Sequence, residues 1–131
     1  MYTHVGINVT NLEKSIEFYS HLFEHEPVKV KDDYAKFLLE EPKLNFTLNL
    51  RDEVSGNQVS HFGFQVKNTD EVMAQRDRLN GLRFTTRDQM NVTCCYSVQD
   101  KFWVQDPDGN EWEFFVPKED TATHPGGCCS A

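Results

Sequence analysis

The sequence predicts an α+β fold in which two βαβββ modules pair into one concave sheet. The first observation is a repeat, because His4–Val9 and His61–Val66 both read His-apolar-Gly-apolar-amide-Val at an offset of 57 residues. The second observation is that the same offset aligns Asn11 with Asn68. Ordered self-similarity of this kind is typical of two copies of one supersecondary unit.

The first module is predicted to contain a strand, a helix and three further strands. Alternation along residues 4–9 indicates a strand whose valine and isoleucine side chains face the core. Thr10-x-x-Glu13 is a capping-box signature, and apolar residues recur after it at helical spacing as far as Phe23. The three further strands are predicted in these segments: Val28–Lys31, Tyr34–Leu39 and Leu44–Leu50.

The second module repeats the strand and the helix. A strand is predicted over about Val59–Val66, and Asn68-x-x-Glu71 caps a helix that Gly81 terminates. Asp106–Gly109 reads Asp-Pro-Asp-Gly, which predicts a turn. The remaining strands are predicted near these segments: Arg83–Arg87, Val92–Val98, Phe102–Gln105 and Glu111–Val116.

Length and composition favour one domain. With 131 residues, of which 38% are hydrophobic, the chain can bury a core, and we predict a domain over residues 1–117 with modules at about 2–50 and 58–117. Residues 118–131 are expected to form a flexible Cys-containing tail. No apolar run approaches the roughly 20 residues of a membrane span, and the N-terminal residues lack a secretory signal. We therefore expect a cytoplasmic protein with reduced cysteines. The net charge of −8, without a Lys/Arg block, argues against nucleic-acid and membrane partners.

Two histidines and one carboxylate are candidate metal ligands. A lone strand histidine is usually a satisfied surface or cavity residue, but His4 and His61 occupy matching repeat positions on the polar strand faces. Glu113 shares one face of its predicted strand with Glu111, which is the alternative ligand. Two imidazoles and a carboxylate suit Fe(II) and leave positions open for substrate and O2, although Zn, Mn, Ni and Co accept the same donors.

The last strand of the first module lacks a matching carboxylate. Its polar face offers only Asn45, Thr47 and Asn49. Three protein ligands favour an open catalytic site over a closed structural one.

These features resemble the vicinal oxygen chelate superfamily, also called the glyoxalase/bleomycin resistance/extradiol dioxygenase fold. The matching residues are His4, Phe18-Tyr19, His61, Asp106–Asn110 and Glu113. The resemblance covers about residues 2–117 and implies paired βαβββ modules around a divalent metal that the substrate chelates. Members include isomerases, thiol-transfer enzymes, ring-cleaving dioxygenases and metal-free drug-binding proteins.

A cysteine pair narrows the resemblance. Asn91–Tyr96, followed by Gln99-Asp100-Lys101, is similar to the arsenic-induced carbon–arsenic lyases and the related cadmium-induced proteins. That similarity implies an Fe(II)-dependent dioxygenase that releases arsenite from methylarsenite and trivalent aromatic arsenicals. It also implies that Cys94 and Cys95 bind the arsenic, and we expect Tyr96 and Lys101 to hydrogen-bond an intermediate as catalytic groups.

Adjacent thiols suit this substrate. Trivalent arsenic binds thiolate sulfur strongly, and a monosubstituted organoarsenical has two exchangeable positions, so two thiolates can hold it while its carbon stays free. In a regular strand Cys94 and Cys95 would face opposite sides, so a bulge or loop is required, and Met90-Asn91 is a plausible irregularity. The alternative is a buried cysteine that packs as a small apolar residue beside an incidental neighbour.

Two other functions stay open at this point. One is a metal-dependent thiol transferase for an electrophilic antibiotic. A glyoxalase-type isomerase, which could use the same metal, is disfavoured because a fourth carboxylate is missing. The other is a noncatalytic thiol-based binding protein for Cd(II) or As(III), to which Cys128 and Cys129 would contribute. In each case the expected partner is a small molecule, and the resemblance allows a monomer or a homodimer.

Overall fold

The order of helices and strands repeats along the chain, as the sequence predicts. A computed structural model describes residues 1–56, 59, 61–94 and 97–120. Its elements in chain order are β1 (Thr3–Val9), α1 (Leu12–Phe23), β2 (Lys29–Lys31), β3 (Tyr34–Glu40), β4 (Lys43–Leu50), β5 (Phe62–Gln65), α2 (Thr69–Gly81), β6 (Thr86–Cys94), β7 (Ser97–Gln105) and β8 (Glu111–Asp120). The α+β class and the two βαβββ modules are therefore confirmed.

Each module forms a four-stranded mixed sheet. The strand orders are β1-β4-β3-β2 and β5-β8-β7-β6. In both sheets the first strand of the module runs parallel to the last, and the remaining pairs are antiparallel. His4 lies in β1 and His61 immediately precedes β5, so each histidine is placed beside the last strand of its own module. Neither α1 nor α2 is long and apolar enough to cross a membrane.

The first compact unit comprises Met1–Asn57 together with Asp106–Gly109. Its core is an aromatic cluster between α1 and the sheet, in which the Tyr19 ring lies 4.8 Å and the Phe23 ring 5.2 Å from the Phe46 ring. Full burial of a side chain of this size stabilises a fold by about 1.5 to 3 kcal/mol. This packing fixes α1 on the apolar face of β4.

The start of α1 differs from the prediction. Asn11 is the N-cap, and its side chain accepts a hydrogen bond from the Lys14 backbone N–H at 3.0 Å. Thr10 instead donates its backbone N–H and its hydroxyl to the Asp108 carboxylate, at 3.1 and 2.6 Å. The hydroxyl is not free to cap the helix because a residue far along the chain binds it, so the capping box at Thr10 is wrong.

The second compact unit comprises Gln58–Gln105 and Asn110–Ala131. Its helix α2 begins as predicted, since the Asn68 side chain accepts from the Glu71 backbone N–H at 2.9 Å. Gly81 is the last residue of the helix, but the left-handed conformation falls on Arg83, with φ 71°. Val72 and Leu79 of α2 are fully buried on the side of the sheet that α2 covers.

Four strands are predicted after α2, but the described residues form three there, because Phe102–Gln105 is the end of β7 and not a separate strand. The segment predicted as a single strand, Val92–Val98, belongs to two strands, because β6 ends at Cys94 and β7 begins at Ser97. No Gly or Pro marks this reversal, so the local sequence gave no turn signal. The irregularity expected near Met90 is confirmed, because the β6–β7 register shifts between Gln89 and Val92 and Asn91 has φ 52°.

Candidate active site

Glu113 is the central carboxylate of a polar cluster in the second unit. It lies on β8 and is only 5% exposed. The Lys101 ammonium donates to Glu113 Oε2 at 3.0 Å, and His61 Nε2 lies 3.8 Å from Oε1. The two carboxylate oxygens therefore have different neighbours, a cation on one side and an imidazole on the other.

Lys101 is fully buried beneath this carboxylate. It lies on β7, and its ammonium is 5.4 Å from the centre of the Trp103 ring and 5.8 Å from that of Phe115. A buried ammonium is stable only when a counter-charge and polarisable neighbours replace its water. The carboxylate and the two aromatic rings supply both, so Lys101 and Glu113 hold each other in place.

The His61 ring is supported by a tryptophan. The two ring centres lie 5.3 Å apart at an interplanar angle of 87°, an edge-to-face contact between His61 and Trp103. Trp103 is 1% exposed and donates its indole N–H to Gln89 Oε1 at 3.0 Å. Sequence reasoning missed this support, because the three residues are brought together only by the β5-β8-β7-β6 order of the second sheet.

The glycine of the second His-x-Gly motif makes room for Glu113. Gly63 is the register partner of Glu113 in the parallel β5–β8 pair. A Cβ atom at position 63 would lie 2.6 Å from Glu113 Cγ and 2.7 Å from its carbonyl oxygen. Any side chain at this position would displace the carboxylate, which gives the repeated glycine a defined role.

The first unit has the corresponding arrangement with a different side chain. His4 Nδ1 lies 3.0 Å from the Asn45 carbonyl oxygen, so a proton on Nδ1 would leave Nε2 free to ligate a metal. Gly6 pairs with Thr47 in the parallel β1–β4 pair, as Gly63 pairs with Glu113. Thr47 is thus the structural counterpart of Glu113, and it offers a hydroxyl where a fourth carboxylate ligand would stand.

The donors of the second unit suit a divalent ion. Two donors about 2.1 Å from one ion, at angles of about 90° to 110°, lie roughly 3.0 to 3.4 Å apart. The separation of 3.8 Å between His61 Nε2 and Glu113 Oε1 can reach this range by small side-chain rotations. Among the described residues, no three His, Cys, Asp or Glu side chains already lie close enough to enclose an ion. His4 belongs to the first unit, so its convergence with the other two ligands stays a prediction.

The alternative ligand Glu111 has a different environment. It is 9% exposed, and its Oε1 accepts a hydrogen bond from the Gln105 side-chain amide. Its Oε2 is buried without a hydrogen-bond partner in the described part of the chain. Glu113, by contrast, has its Oε1 3.8 Å from His61 Nε2, which favours Glu113 as the ligand.

The predicted thiol site is only partly described. Cys94 is the last residue of β6 and is the register partner of Ser97. Cys95 and Tyr96 lie outside the described residues, as do Cys128 and Cys129. Of the four predicted substrate-binding and catalytic residues, Lys101 is therefore the one whose side-chain contacts are known, and they connect it directly to Glu113.

A repeated βαβββ scaffold with histidine and carboxylate donors on neighbouring strands defines a class of two-module α+β proteins. The chain belongs to the Glyoxalase/Bleomycin resistance protein/Dioxygenase superfamily, whose family model matches residues 2–114. Members of this superfamily typically bind a divalent metal. The family placement predicted from His4, His61 and Glu113 is thereby confirmed.

Individual relatives agree with this placement. A protein of Bacillus sp. (strain MD1) named trivalent organoarsenical cleaving enzyme is 68% identical over 133 residues, which is 98% of this chain and 82% of that protein. The cadmium-induced protein CadI of Mycobacterium tuberculosis (strain ATCC 25618 / H37Rv) is 37% identical over 94% of this chain and 80% of its own length. The crystal structure of a glyoxalase/bleomycin resistance protein/dioxygenase from Alicyclobacillus acidocaldarius shares the fold, with a TM-score of 0.72 at 16% identity, covering 91% of this chain and 92% of that chain. Resemblance to the arsenical and cadmium-induced groups is thus confirmed.

Proposed function

We propose that this chain is a cytoplasmic Fe(II)-dependent dioxygenase that cleaves the carbon–arsenic bond of trivalent organoarsenicals and releases arsenite, for arsenic detoxification. The observation that carries the proposal is the 68% identity, over 98% of this chain, to a relative named trivalent organoarsenical cleaving enzyme. The geometry supports it, because Glu113 is buried between a cation and an imidazole on a rigid sheet. Methylarsenite and aromatic arsenicals are the proposed substrates.

Three residues would hold the metal: His4, His61 and Glu113. A divalent ion such as Fe(II) with open positions would supply Lewis acidity and an electron source for dioxygen chemistry. The Lys101 ammonium binds Glu113 Oε2 and leaves Oε1 directed toward His61, so the carboxylate is set to act through one oxygen. The contact between Trp103 and His61 limits rotation of the imidazole.

Two thiols would hold the substrate. Condensation of Cys94 and Cys95 with the two hydroxyls of a monosubstituted arsenical forms two As–S bonds and releases two waters. The carbon then stays unblocked, and holding it in register with the metal removes an entropic barrier of several kcal/mol. Lys101 has three N–H donors, one of which is engaged by Glu113, so it can also stabilise developing negative charge. We assign Tyr96 a similar hydrogen-bonding role.

The proposed reaction balances without an external reductant. Methylarsenite and one dioxygen contain the same atoms as arsenite and one formaldehyde, so the carbon is oxidised while dioxygen is reduced. Arsenite and formaldehyde should therefore appear in equal amounts. A transferase or a binding protein would produce neither.

The test is a multiple-turnover experiment on the full chain, with methylarsenite in excess over protein. Protein loaded anaerobically with Fe(II) is mixed with methylarsenite and then exposed to oxygen, and arsenite is followed by liquid chromatography with mass detection. We expect catalytic arsenite release that requires both iron and oxygen. Tight retention of the arsenical without arsenite would instead identify a noncatalytic thiol-based binding protein. Absence of arsenite, together with metal-dependent thiol addition to an electrophilic antibiotic that does not need Cys94 and Cys95, would favour the transferase.

A further inference from the structure

One row of paired residues crosses the second sheet through Glu113. Arg87 of β6 is the register partner of Trp103 on β7, and Trp103 is the register partner of Glu113 on β8. Residues that pair directly on neighbouring strands point their side chains to the same face of a sheet. The β6 bulge, at the register shift between Gln89 and Val92, lies beyond Arg87 and leaves this row regular. Arg87 and Trp103 therefore share the face on which the proposed metal ligand Glu113 lies.

Arg87 stands at the outer end of this row. Because β6 is the last strand in the order β5-β8-β7-β6, two strand spacings separate Arg87 from Glu113, which is about 10 Å between their backbones. The Arg87 guanidinium carbon is 5.9 Å from the centre of the Trp103 ring, a cation–π contact, and the same ring contacts His61. Trp103 is buried, whereas Arg87 is exposed. A rigid ring thus holds the guanidinium, while its N–H groups stay open to a ligand.

No carboxylate forms an ion pair with Arg87 in the part of the chain that the structure describes. The adjacent Asp88 points to the opposite face, because side chains alternate along a strand, and it pairs with Arg76 of α2 at 2.7 Å. Glu111 shares the face of Arg87, but it is buried two strands away and accepts a hydrogen bond from the Gln105 amide. Arg87 is therefore a cation at the edge of this face without a counter-charge from the described residues.

A guanidinium in this position favours a planar anion as its ligand. Its forked N–H donors match the two oxygens of a carboxylate, and such charge-assisted pairs are about twice as strong as neutral hydrogen bonds. Methylarsenite beside Glu113 is too short to reach Arg87. A benzene ring with arsenic at one end and a carboxylate para to it has a length comparable with the two strand spacings between Glu113 and Arg87.

We propose that Arg87 is a specificity-determining residue that binds a carboxylate on the ring of an aromatic arsenical, para to the arsenic. The inference rests on the proposed function, because it takes the arsenic to lie beside the metal that Glu113 would hold. Trp103 holds the guanidinium in place, and the guanidinium binds the acidic end of the ring at the edge of the sheet. The arsenic–carbon bond then lies at the opposite end of the ring, toward Glu113.

The experiment compares phenylarsenite with 4-carboxyphenylarsenite on the full chain loaded with Fe(II). Dissociation constants are measured by anaerobic isothermal titration, which separates binding from turnover, and kcat/KM is then measured with oxygen. The ratio between the two arsenicals is the quantity compared among variants, because any loss of metal or arsenic binding affects both compounds and cancels. We expect wild type to prefer 4-carboxyphenylarsenite, and Arg87→Gln to lower this preference about tenfold in both measurements.

Two further variants separate the guanidinium from its charge. Arg87→Lys keeps the charge but loses the planar fork, so we expect a loss of preference smaller than that in Arg87→Gln. Arg83→Gln is the matched control, because it removes the same charge from an exposed arginine of the same unit that lies outside the row. It should keep the preference of wild type.

The outcomes distinguish this inference from the proposed function. An unchanged preference in Arg87→Gln, or equal weakening for both arsenicals, would overturn the role of Arg87, and the second result would mean that Arg87 only covers Trp103. The same loss of preference in Arg83→Gln would also overturn it, because net charge would then be the cause. Failure of wild type to bind or cleave either arsenical would instead remove the proposed function, and with it the premise of this inference.

Discussion

The two modules have the same strand order but differ in the side chain that stands opposite the repeated glycine. In the first module Gly6 faces Thr47, and in the second Gly63 faces Glu113. The backbone geometry at the repeated glycine is therefore the same in both modules, while the carboxylate opposite that glycine is present only in the second module. Duplication of a scaffold gives two equivalent positions, and the difference between a hydroxyl and a carboxylate decides which of them carries the proposed metal ligand.

The environments of the two positions differ as well. Glu113 has a fully buried lysine as its counter-charge, whereas Thr47 is a neutral hydroxyl that needs none. Lys36, the register partner of Thr47 on β3, is only half-buried. A buried carboxylate without a cation would be strongly destabilising, so Glu113 depends on Lys101 for its burial.

The largest expected effect comes from removing the carboxylate of the second module. Glu113→Gln should weaken divalent-metal affinity by about 100-fold, because an amide is a much poorer ligand, and loss of a group that only hydrogen-bonds a ligand already costs about 10- to 100-fold. Glu111→Gln is the matched control and should change affinity little. Competition titration with a fluorescent chelator measures both. Equal losses of metal affinity in the two variants would mean that Glu111 is also a ligand.

The glycines should differ in their tolerance of a methyl group. Gly63→Ala is expected to cost about 2 to 3 kcal/mol of unfolding free energy, because its Cβ would overlap the Glu113 side chain and backbone. Gly6→Ala should cost about 1 kcal/mol or less, since the nearest atom, Thr47 Oγ1, lies 3.0 Å away and belongs to a side chain. Urea denaturation of the two variants measures the difference. Equal costs would mean that the close approach at Gly63 is relieved by movement of β8.

Adding a carboxylate to the first module would test whether the two positions are equivalent. Thr47→Glu is expected to tighten metal binding about tenfold and to lower turnover, because a fourth protein ligand closes a position that a catalytic site keeps open. Thr47→Gln has similar size without the charge and is the control. Metal titration and arsenite release are measured on the same samples. Unchanged affinity in Thr47→Glu would show that this position does not face the metal.

The smallest expected effect is on the pH dependence of the stability that Asp100 contributes to the second unit. Burial raises the pKa of Asp100, but hydrogen bonds from Thr69 and Asn91 and the charge of Lys118 outweigh it, so the pKa of this carboxyl is held below its usual range. Because the folded-state pKa is lowered, the stabilisation is present above the unfolded-state pKa of about 3.9 and is lost as pH falls through the folded-state value. The difference in unfolding free energy between wild type and Asp100→Asn should therefore shrink as pH falls from about 5 to about 2. Denaturant titrations across this pH range measure the difference in unfolding free energy. A difference that stays constant would contradict the lowered pKa of Asp100.

Much of the fold could be predicted because its signals are local. Alternation defines β1, and the Asn68-x-x-Glu71 pattern defines the start of α2, since both depend on residues within one element. The positions of His4 on the polar face of β1 and of Glu113 on the polar face of β8 follow from the same periodicity. The β6–β7 reversal was not predictable in this way, because Cys94 to Ser97 contains no Gly, Pro, Asn or Asp, the stronger turn-marking residues.

The sequence by itself determined the repeated strand and helix order, the family and the set of candidate ligands. The tertiary structure decided which polar side chains have partners: Thr10 binds Asp108 instead of capping α1, and Lys101 binds Glu113. It also decided that Asp100 binds the β6 bulge. The physical reason is that periodicity and capping involve residues a few positions apart, whereas a buried charge or hydroxyl is satisfied by whichever group the folded chain brings within hydrogen-bonding distance.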